Sequence, residues 1–181
     1  MRNRFLLILV LLPFTLAYPQ GGGGHLIENP IRRIPKWVRT DFEAQHLDRR
    51  YSILYRLYPY YLRGDFNGDG KRDAAILIQE ISTGKTGMAV FHTKRPQALS
   101  TPVFILGAGK SLGTAGDDLK WVEIWSVYPK AKLAQKFGKE PNSSRSGDAI
   151  FIERRDSTGG LLYWDGKKYA WRTMRERRSG K

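Results

Sequence analysis

Residues 74–81 constrain the fold more than any other stretch, because they are apolar at nearly every position. A strand with one face in solvent alternates apolar and polar residues, whereas a strand buried on both faces is apolar along its length. The run AAILIQEI therefore predicts a central β-strand that is covered on both sides. The chain has 181 residues, which is enough for one domain with a substantial core.

Short strand-like runs separated by turn residues surround this segment, and they predict an antiparallel meander. The clearest turn is Asp165-Gly166, which lies between two apolar runs and is typical of a β-hairpin. For residues 51–57 a continuation of the preceding helix also fits the pattern, but the strand is preferred. The predicted strands besides 74–81 are residues 51–57, 88–93, 103–106, 121–128, 149–154, 161–164 and 169–172.

Two helices are predicted. Thr40 and Glu43 match a capping box, so one short helix is expected to begin at Thr40 and to end near residue 49. A weaker helical pattern covers residues 130–137. The predicted fold class is therefore α+β, mainly an antiparallel β meander with one or two short helices.

Residues 65–73, DFNGDGKRD, have the residue types and the spacing of a calcium-binding loop. Calcium takes about six to eight oxygen ligands, and side chains at alternate positions of a curling loop converge on one ion. The alternative is an acidic surface turn, since Asn, Asp and Gly favour turns in any case. The predicted side-chain ligands at positions 1, 3, 5 and 9 are Asp65, Asn67, Asp69 and Asp73, and position 7 offers the carbonyl of Lys71.

This D-x-N-G-D-G-x-x-D motif resembles the calcium loop of the FG-GAP/VCBS repeats, over about residues 60–80. The resemblance implies Ca²⁺ as cofactor, the same five ligand residues and a β-hairpin around the loop. It does not extend to the propeller that hosts such repeats, because a propeller needs at least about four blades and this chain carries one loop. An EF-hand is excluded because position 12 is Ile76 instead of a bidentate Glu.

A wider resemblance rests on GDFNGDGKRDAAILI together with the later GDAIFIE and YWDGKKYAW. These segments are similar to those of a group of small secreted bacterial proteins, and the similarity implies no particular activity.

The N-terminus has the features of an export signal. Arg2 and Arg4 precede the apolar residues 5–17, which end in Thr15-Leu16-Ala17. This pattern predicts a signal peptide, residues 1–17, that is cleaved near Ala17, and a location in the periplasm or outside the cell. An uncleaved anchor is disfavoured, because the apolar run is shorter than the roughly 20 residues that span a bilayer. A flexible leader (18–35), one β-rich calcium-binding domain (36–174) and a basic tail (175–181) are expected to follow.

The charge and the aromatic residues suggest two further kinds of partner. The net charge is +14, and it becomes +12 when the two arginines of the signal are removed. A basic exported protein is attracted to polyanions of the cell envelope or to nucleic acid. Alternatively, exposed aromatic rings bind carbohydrate, for which a coplanar pair of Trp164 and Trp171 across the 165–166 turn would be the evidence.

No catalytic arrangement is apparent, and the chain is predicted not to be an enzyme. His92 alternates with Met88 and Val90, so it is expected to be a core or sheet-face histidine and not a general base. Asp117 and Asp118 lie beside a glycine-rich loop. Either the two carboxylates bind a second cation, or one of them is the N-cap of a helix. The N-cap is favoured.

Overall fold

The computed structural model describes residues 30–93, 100–137, 147–155 and 159–174. The predicted signal peptide (1–17), most of the predicted leader and the predicted basic tail (175–181) lie outside these residues. The described residues begin with a 3-10 helix at Pro30–Arg33, and the next residue, Ile34, is buried in the core. The packed domain therefore begins before residue 36 and includes the end of the segment predicted to be a leader.

Two antiparallel sheets form the domain, and they do not close into a barrel. Most strands pair antiparallel with the next strand in the chain, so the predicted α+β class with an antiparallel meander is confirmed, as is the absence of a full propeller. The first sheet, sheet A, contains β1 (Tyr51–Ile53), β2 (Tyr61–Gly64), β3 (Asp73–Glu80), β4 (Thr86–Phe91) and β5 (Val103–Gly107). The second, sheet B, contains β6 (Ile124–Tyr128), β7 (Ala149–Glu153), β8 (Gly159–Trp164) and β9 (Tyr169–Met174) in that order.

Strand β3 organises sheet A. One of its edges pairs with β4, while its other edge is shared by two short strands. Residues 73–76 pair with β2, and residues 78–80 pair with β1. The loop of residues 65–72 therefore connects two adjacent antiparallel strands, which is the β-hairpin setting that the sequence predicted.

Sheet A lies between sheet B and helix α1, so both faces of β3 are buried. On one face, Ala75 and Leu77 join the core between the sheets. On the other face, Ala74, Ile76 and Ile78 pack in a second core beneath helix α1 (Lys36–Ala44). The absence of alternation in the run AAILIQEI thus has the predicted cause, which is cover on both sides.

The N-cap of helix α1 lies five residues earlier than the capping box predicted. Val38 and Phe42, one helical turn apart, are both buried against sheet A, and Pro35 stands at the N-cap. Thr40 consequently lies inside the helix, and the predicted N-cap was wrong because burial of one face outweighed a local capping signal. The second predicted helix is confirmed as α2 (Lys130–Phe137). Neither helix, nor any other helix in the described ranges, has the length and apolarity needed to cross a membrane.

Candidate metal centre

The predicted calcium loop is anchored in the core by one of its own residues. Phe66, the second residue of the loop, is fully buried between the two sheets. Gly68 and Gly70 adopt positive φ angles of 76° and 81°, which glycine tolerates and other residues rarely adopt. The buried ring and the two glycines hold the loop in a tight curl directly after β2.

Three of the predicted ligands curl inward around the loop backbone. Asp65 Oδ1 and Oδ2 accept hydrogen bonds from the N–H groups of Asp69 and Gly70, both at 3.0 Å. Asn67 Oδ1 accepts from the Asp69 N–H at 3.0 Å, and Asp69 Oδ1 accepts from the Lys71 N–H at 2.9 Å. Because each of these oxygens has a second lone pair, it can hold the backbone and still coordinate a cation.

Asp73, the fourth predicted side-chain ligand, opens β3 and is completely buried. Its Oδ2 accepts from the N–H groups of Phe66 (2.9 Å) and Asn67 (3.3 Å), and its Oδ1 accepts from the Thr93 N–H (2.8 Å). Burial raises the pKa of the Asp73 carboxyl to about 6, with a smaller contribution from the charge of Asp69, although the three N–H bonds oppose the rise. Among the described residues no lysine or arginine forms an ion pair with this buried carboxylate.

Lys71, the fifth predicted ligand, belongs both to the loop and to a neighbouring groove. Its carbonyl belongs to the loop backbone, and Lys71 and Arg72 both line a groove beside the loop. The predicted residues thus belong to one hairpin, with Asp73 at the start of β3 and the others in the loop. In the described part of the chain, however, no three Asp, Glu, His or Cys side chains are grouped closely enough to hold a metal by themselves. An ion here would depend on the Asn67 amide and the Lys71 carbonyl as well as on carboxylates.

Asp148 is a contact of the loop that sequence reasoning missed. Its Oδ2 accepts from the Asp65 N–H at 3.1 Å, and its own N–H donates to the Asp65 carbonyl at 2.6 Å. Its Oδ1 accepts from the N–H of Lys130, the first residue of α2. Asp148 directly precedes β7, so it joins the start of the loop to sheet B. The two partners are 83 positions apart in the chain, and no local pattern signals such a contact.

His92 and Tyr169 form a buried polar pair near the loop. The His92 Nε2 and the Tyr169 hydroxyl are 2.7 Å apart, and the imidazole also packs against Phe104 and Trp164. Burial lowers the pKa of His92 to about 4, although the charges of Asp69 and Asp65 act in the opposite direction. Burial likewise raises the pKa of Tyr169 well above its usual value. His92 is therefore a core residue, as predicted from its alternation with Met88 and Val90, and its lowered pKa leaves it neutral at neutral pH.

Replacing His92 by glutamine should remove part of the acid sensitivity of the fold. The unfolded histidine has a pKa near 6.5 and the folded one near 4, so the unfolded chain binds more protons between these values and stability is lost as the pH falls through this range. At pH 4.5, relative to pH 7, wild type should lose about 2–3 kcal/mol more unfolding free energy than His92→Gln. Urea denaturation at both pH values, with chelator present, measures the difference; identical losses in the two proteins would contradict it.

Asp117 and Asp118, which the sequence offered as a second cation site or a helix N-cap, both have structural roles. Asp118 is the N-cap of the 3-10 helix Leu119–Trp121, and it accepts from the N–H groups of Lys120 and Thr86. Asp117 pairs with Lys85 at 2.5 Å. The N-cap alternative is thus confirmed.

Trp164 and Trp171 do not form the coplanar pair that would favour a carbohydrate platform. Trp164 meets His92, Phe104 and Tyr169 at steep angles, while Trp171 meets Trp121 edge-on at 77°. The two rings belong to separate clusters at different positions along β8 and β9, and each is partly buried against the core.

The fold and the loop define a two-sheet antiparallel protein with an acidic, glycine-containing hairpin loop at one end of sheet A. No family model matches the chain, and neither the curated proteins nor the solved structures include one that is significantly similar to it.

Proposed function

We propose that this chain is an exported, non-enzymatic calcium-binding protein in which one Ca²⁺ stabilises the loop between β2 and β3. The side-chain ligands are Asp65, Asn67, Asp69 and Asp73, and Lys71 contributes its carbonyl oxygen. Export is inferred from the signal-like residues 1–17. The biological partner is proposed only as a class, an anionic or saccharide component of the cell envelope.

The observation that carries the proposal is the buried Asp73 carboxylate, which has three backbone N–H partners and no cationic side chain beside it among the described residues. Burying a charge without a partner is costly, and such groups are normally paired or bound to a metal. Asp65 and Asp69 add two more carboxylates within the same tight loop. Binding an ion would draw these carboxylates together; at about 4 Å two carboxylates repel each other by roughly 4 kcal/mol at an effective dielectric of 20, and the cation offsets that repulsion.

The chemistry of the donor set favours calcium over the other common divalent ions. All of the proposed ligands offer oxygen, and the loop mixes carboxylates with an amide and a backbone carbonyl, as Ca²⁺ sites do. Magnesium requires near-ideal octahedral geometry and gives up its water reluctantly, so we expect it to bind this loop more weakly. The affinity for calcium should lie between roughly 10⁻⁵ and 10⁻³ M, as in extracellular modules.

Isothermal titration calorimetry with CaCl₂ tests the proposal directly. Wild type should bind one equivalent, and Asp69→Ala should bind none, because it loses an oxygen ligand at position 5. Asp165→Ala is a matched control, because Asp165 also begins an Asp-Gly-Lys turn but caps the β8–β9 hairpin through the N–H groups of Lys167 and Lys168. A wild-type protein that gives no calcium heat at millimolar ion would reduce the loop to an acidic turn.

Calcium should also raise the thermal stability of the protein. At a calcium concentration a hundred times the Kd, binding to the native state adds about 2.7 kcal/mol. We expect a rise in Tm of several degrees that chelator reverses and that is absent in Asp69→Ala. The variant should remain folded without calcium, because the core between the sheets does not include the ion. An equal rise in wild type and Asp69→Ala would place the bound calcium elsewhere.

A further inference from the structure

A groove lies beside the calcium loop, on the face of sheet A that α1 covers. Its volume is about 500 Å³, which is within the range of small-ligand sites. Its walls are formed by helix α1, the end of β2, the loop, and the residues that follow β4 or precede β5. The lining residues are Trp37, Asp41, Arg63, Lys71, Arg72, Thr93 and Thr101.

Positive charge exceeds negative charge in this groove. Arg63, Lys71 and Arg72 carry three positive charges, and Asp41 carries the one negative charge among the lining residues. The carboxylate of Asp41 accepts a hydrogen bond from the Thr101 hydroxyl, which engages part of its capacity as an acceptor. Arginine side chains present a planar set of donors that suits phosphate, sulfate and carboxylate groups.

The walls of the groove are fixed by the fold. Arg63 lies in β2, where it pairs with Ala74 of β3. Thr93 holds the other side, because its hydroxyl donates to the Arg72 carbonyl and its N–H donates to Asp73. Trp37 rests edge-on against Phe91, with 6.3 Å between the ring centroids. The backbone that carries two of the cations is thus anchored to the central strands.

The calcium loop and this groove share residues, because Lys71 and Arg72 of the loop line the groove. Lys71 supplies the proposed carbonyl ligand and also lines the groove, and Thr93 contacts both Asp73 of the proposed ion site and Arg72 of the groove. Without an ion, the carboxylates of Asp65 and Asp69 weaken the positive potential of the groove. With Ca²⁺ bound, that opposition is removed, and charges within about 10 Å of each other are only partly screened at ordinary salt.

We propose that the groove binds a phosphate or sulfate group of a ligand through Arg63, Lys71 and Arg72, and that bound Ca²⁺ strengthens this binding. The anion site follows from the groove alone, whereas the coupling rests on the proposed calcium function. Because coupling between two sites is reciprocal, the anion must strengthen calcium binding by the same factor. From the charges involved, we expect that factor to be about threefold.

Nuclear magnetic resonance titration of ¹⁵N-labelled protein tests the anion site, with sodium sulfate as the probe at constant ionic strength. Sulfate should shift the Trp37 indole signal and the amides of Lys71 and Arg72, and calcium should lower the apparent Kd about threefold. A sulfated disaccharide and its unsulfated counterpart distinguish the source of the group. Tighter binding of the sulfated sugar than of free sulfate assigns the groove to a saccharide ester, and the reverse order assigns it to the free ion.

Two sets of variants separate the anion site from the calcium site. Arg63→Gln and Arg72→Gln should each weaken sulfate binding at least about fivefold. Lys71→Gln should also weaken it while leaving calcium affinity within about twofold, because the proposed calcium ligand is the Lys71 carbonyl. Asp69→Ala should lose calcium binding, and its calcium-free affinity for sulfate should be at least that of wild type, because one of the opposing carboxylates is gone. Lys120→Gln, an exposed cation outside the groove, is the control and should change neither.

Three results would count against specific parts of the proposal. Equal sulfate binding by wild type, Arg63→Gln and Arg72→Gln would overturn the groove as an anion site. If calorimetry shows that the protein binds calcium but calcium does not change its affinity for sulfate, the coupling is overturned. Sulfate binding of the predicted pattern in a protein without calcium binding would support the groove and contradict the proposed function.

Discussion

Replacing Phe66 by alanine is expected to lower the free energy of unfolding by about 3–5 kcal/mol, measured by urea denaturation with chelator present. The ring is fully buried between the two sheets, so its removal leaves a cavity that both sheets border. The buried ring also fixes the backbone whose N–H donates to Asp73, so without the ring that backbone is less firmly held and the variant should bind calcium more weakly than wild type.

Phe66→Leu is the matched control for this change. Leucine keeps most of the apolar volume, and substitutions that conserve volume usually cost less than about 1.5 kcal/mol. A loss below about 1 kcal/mol in Phe66→Ala would show that the ring does not anchor the loop in the core.

Replacing Gly147 by alanine should destabilise the protein by about 3 kcal/mol, since overpacking against fixed atoms costs typically 1–3 and occasionally more. An added Cβ would lie 2.0 Å from the Asp65 carbonyl oxygen and 2.5 Å from the Phe66 carbonyl carbon. Both atoms are backbone, so a flexible side chain cannot move to relieve the clash. The variant should therefore force the segment before β7 away from the loop, with loss of the contacts between Asp148 and Asp65.

Gly116→Ala provides the comparison for Gly147→Ala. An added Cβ at Gly116 meets no atom within 4 Å, although its φ of +82° imposes strain. With a ψ of −166° this backbone conformation is essentially restricted to glycine, so the strain should cost about 1–3 kcal/mol. Thermal denaturation of both variants, followed by calcium calorimetry, separates the two causes: only Gly147→Ala should also weaken calcium binding. Equal losses of stability and unchanged calcium binding would contradict a specific clash at the loop.

Strands with a strong local pattern could be predicted from the sequence. The apolar run of β3 and the turns around β7, β8 and β9 gave boundaries within a few residues of the structure. Strand β2 (Tyr61–Gly64) was missed, since its four residues include Arg63 and Gly64 and form no apolar alternation. Strand β2 is instead held by its pairing with β3, and pairing between strands is invisible to a local pattern.

The loop residues could be predicted because their spacing is local, but their surroundings could not. Asp148 contacts Asp65 from a distant part of the chain, and His92 meets Tyr169 across 77 positions. The helix start was misplaced for a related reason. The buried positions Val38 and Phe42 face sheet A, and that packing determines where α1 begins. Contacts between distant segments thus account for most of what the sequence did not reveal.

The shared edge of β3 has a consequence for how the protein behaves at high concentration. A long, flat edge strand offers a row of unpaired N–H and C=O groups to a second chain and promotes aggregation. Here that edge is divided between β1 and β2, of three and four residues, and the connection between them is tied down. Arg56 donates to the carbonyls of Leu119 and Val122, and the Trp125 indole donates to the Pro59 carbonyl. An approaching strand therefore finds no continuous edge to extend on this side of sheet A, which disfavours edge-to-edge association there.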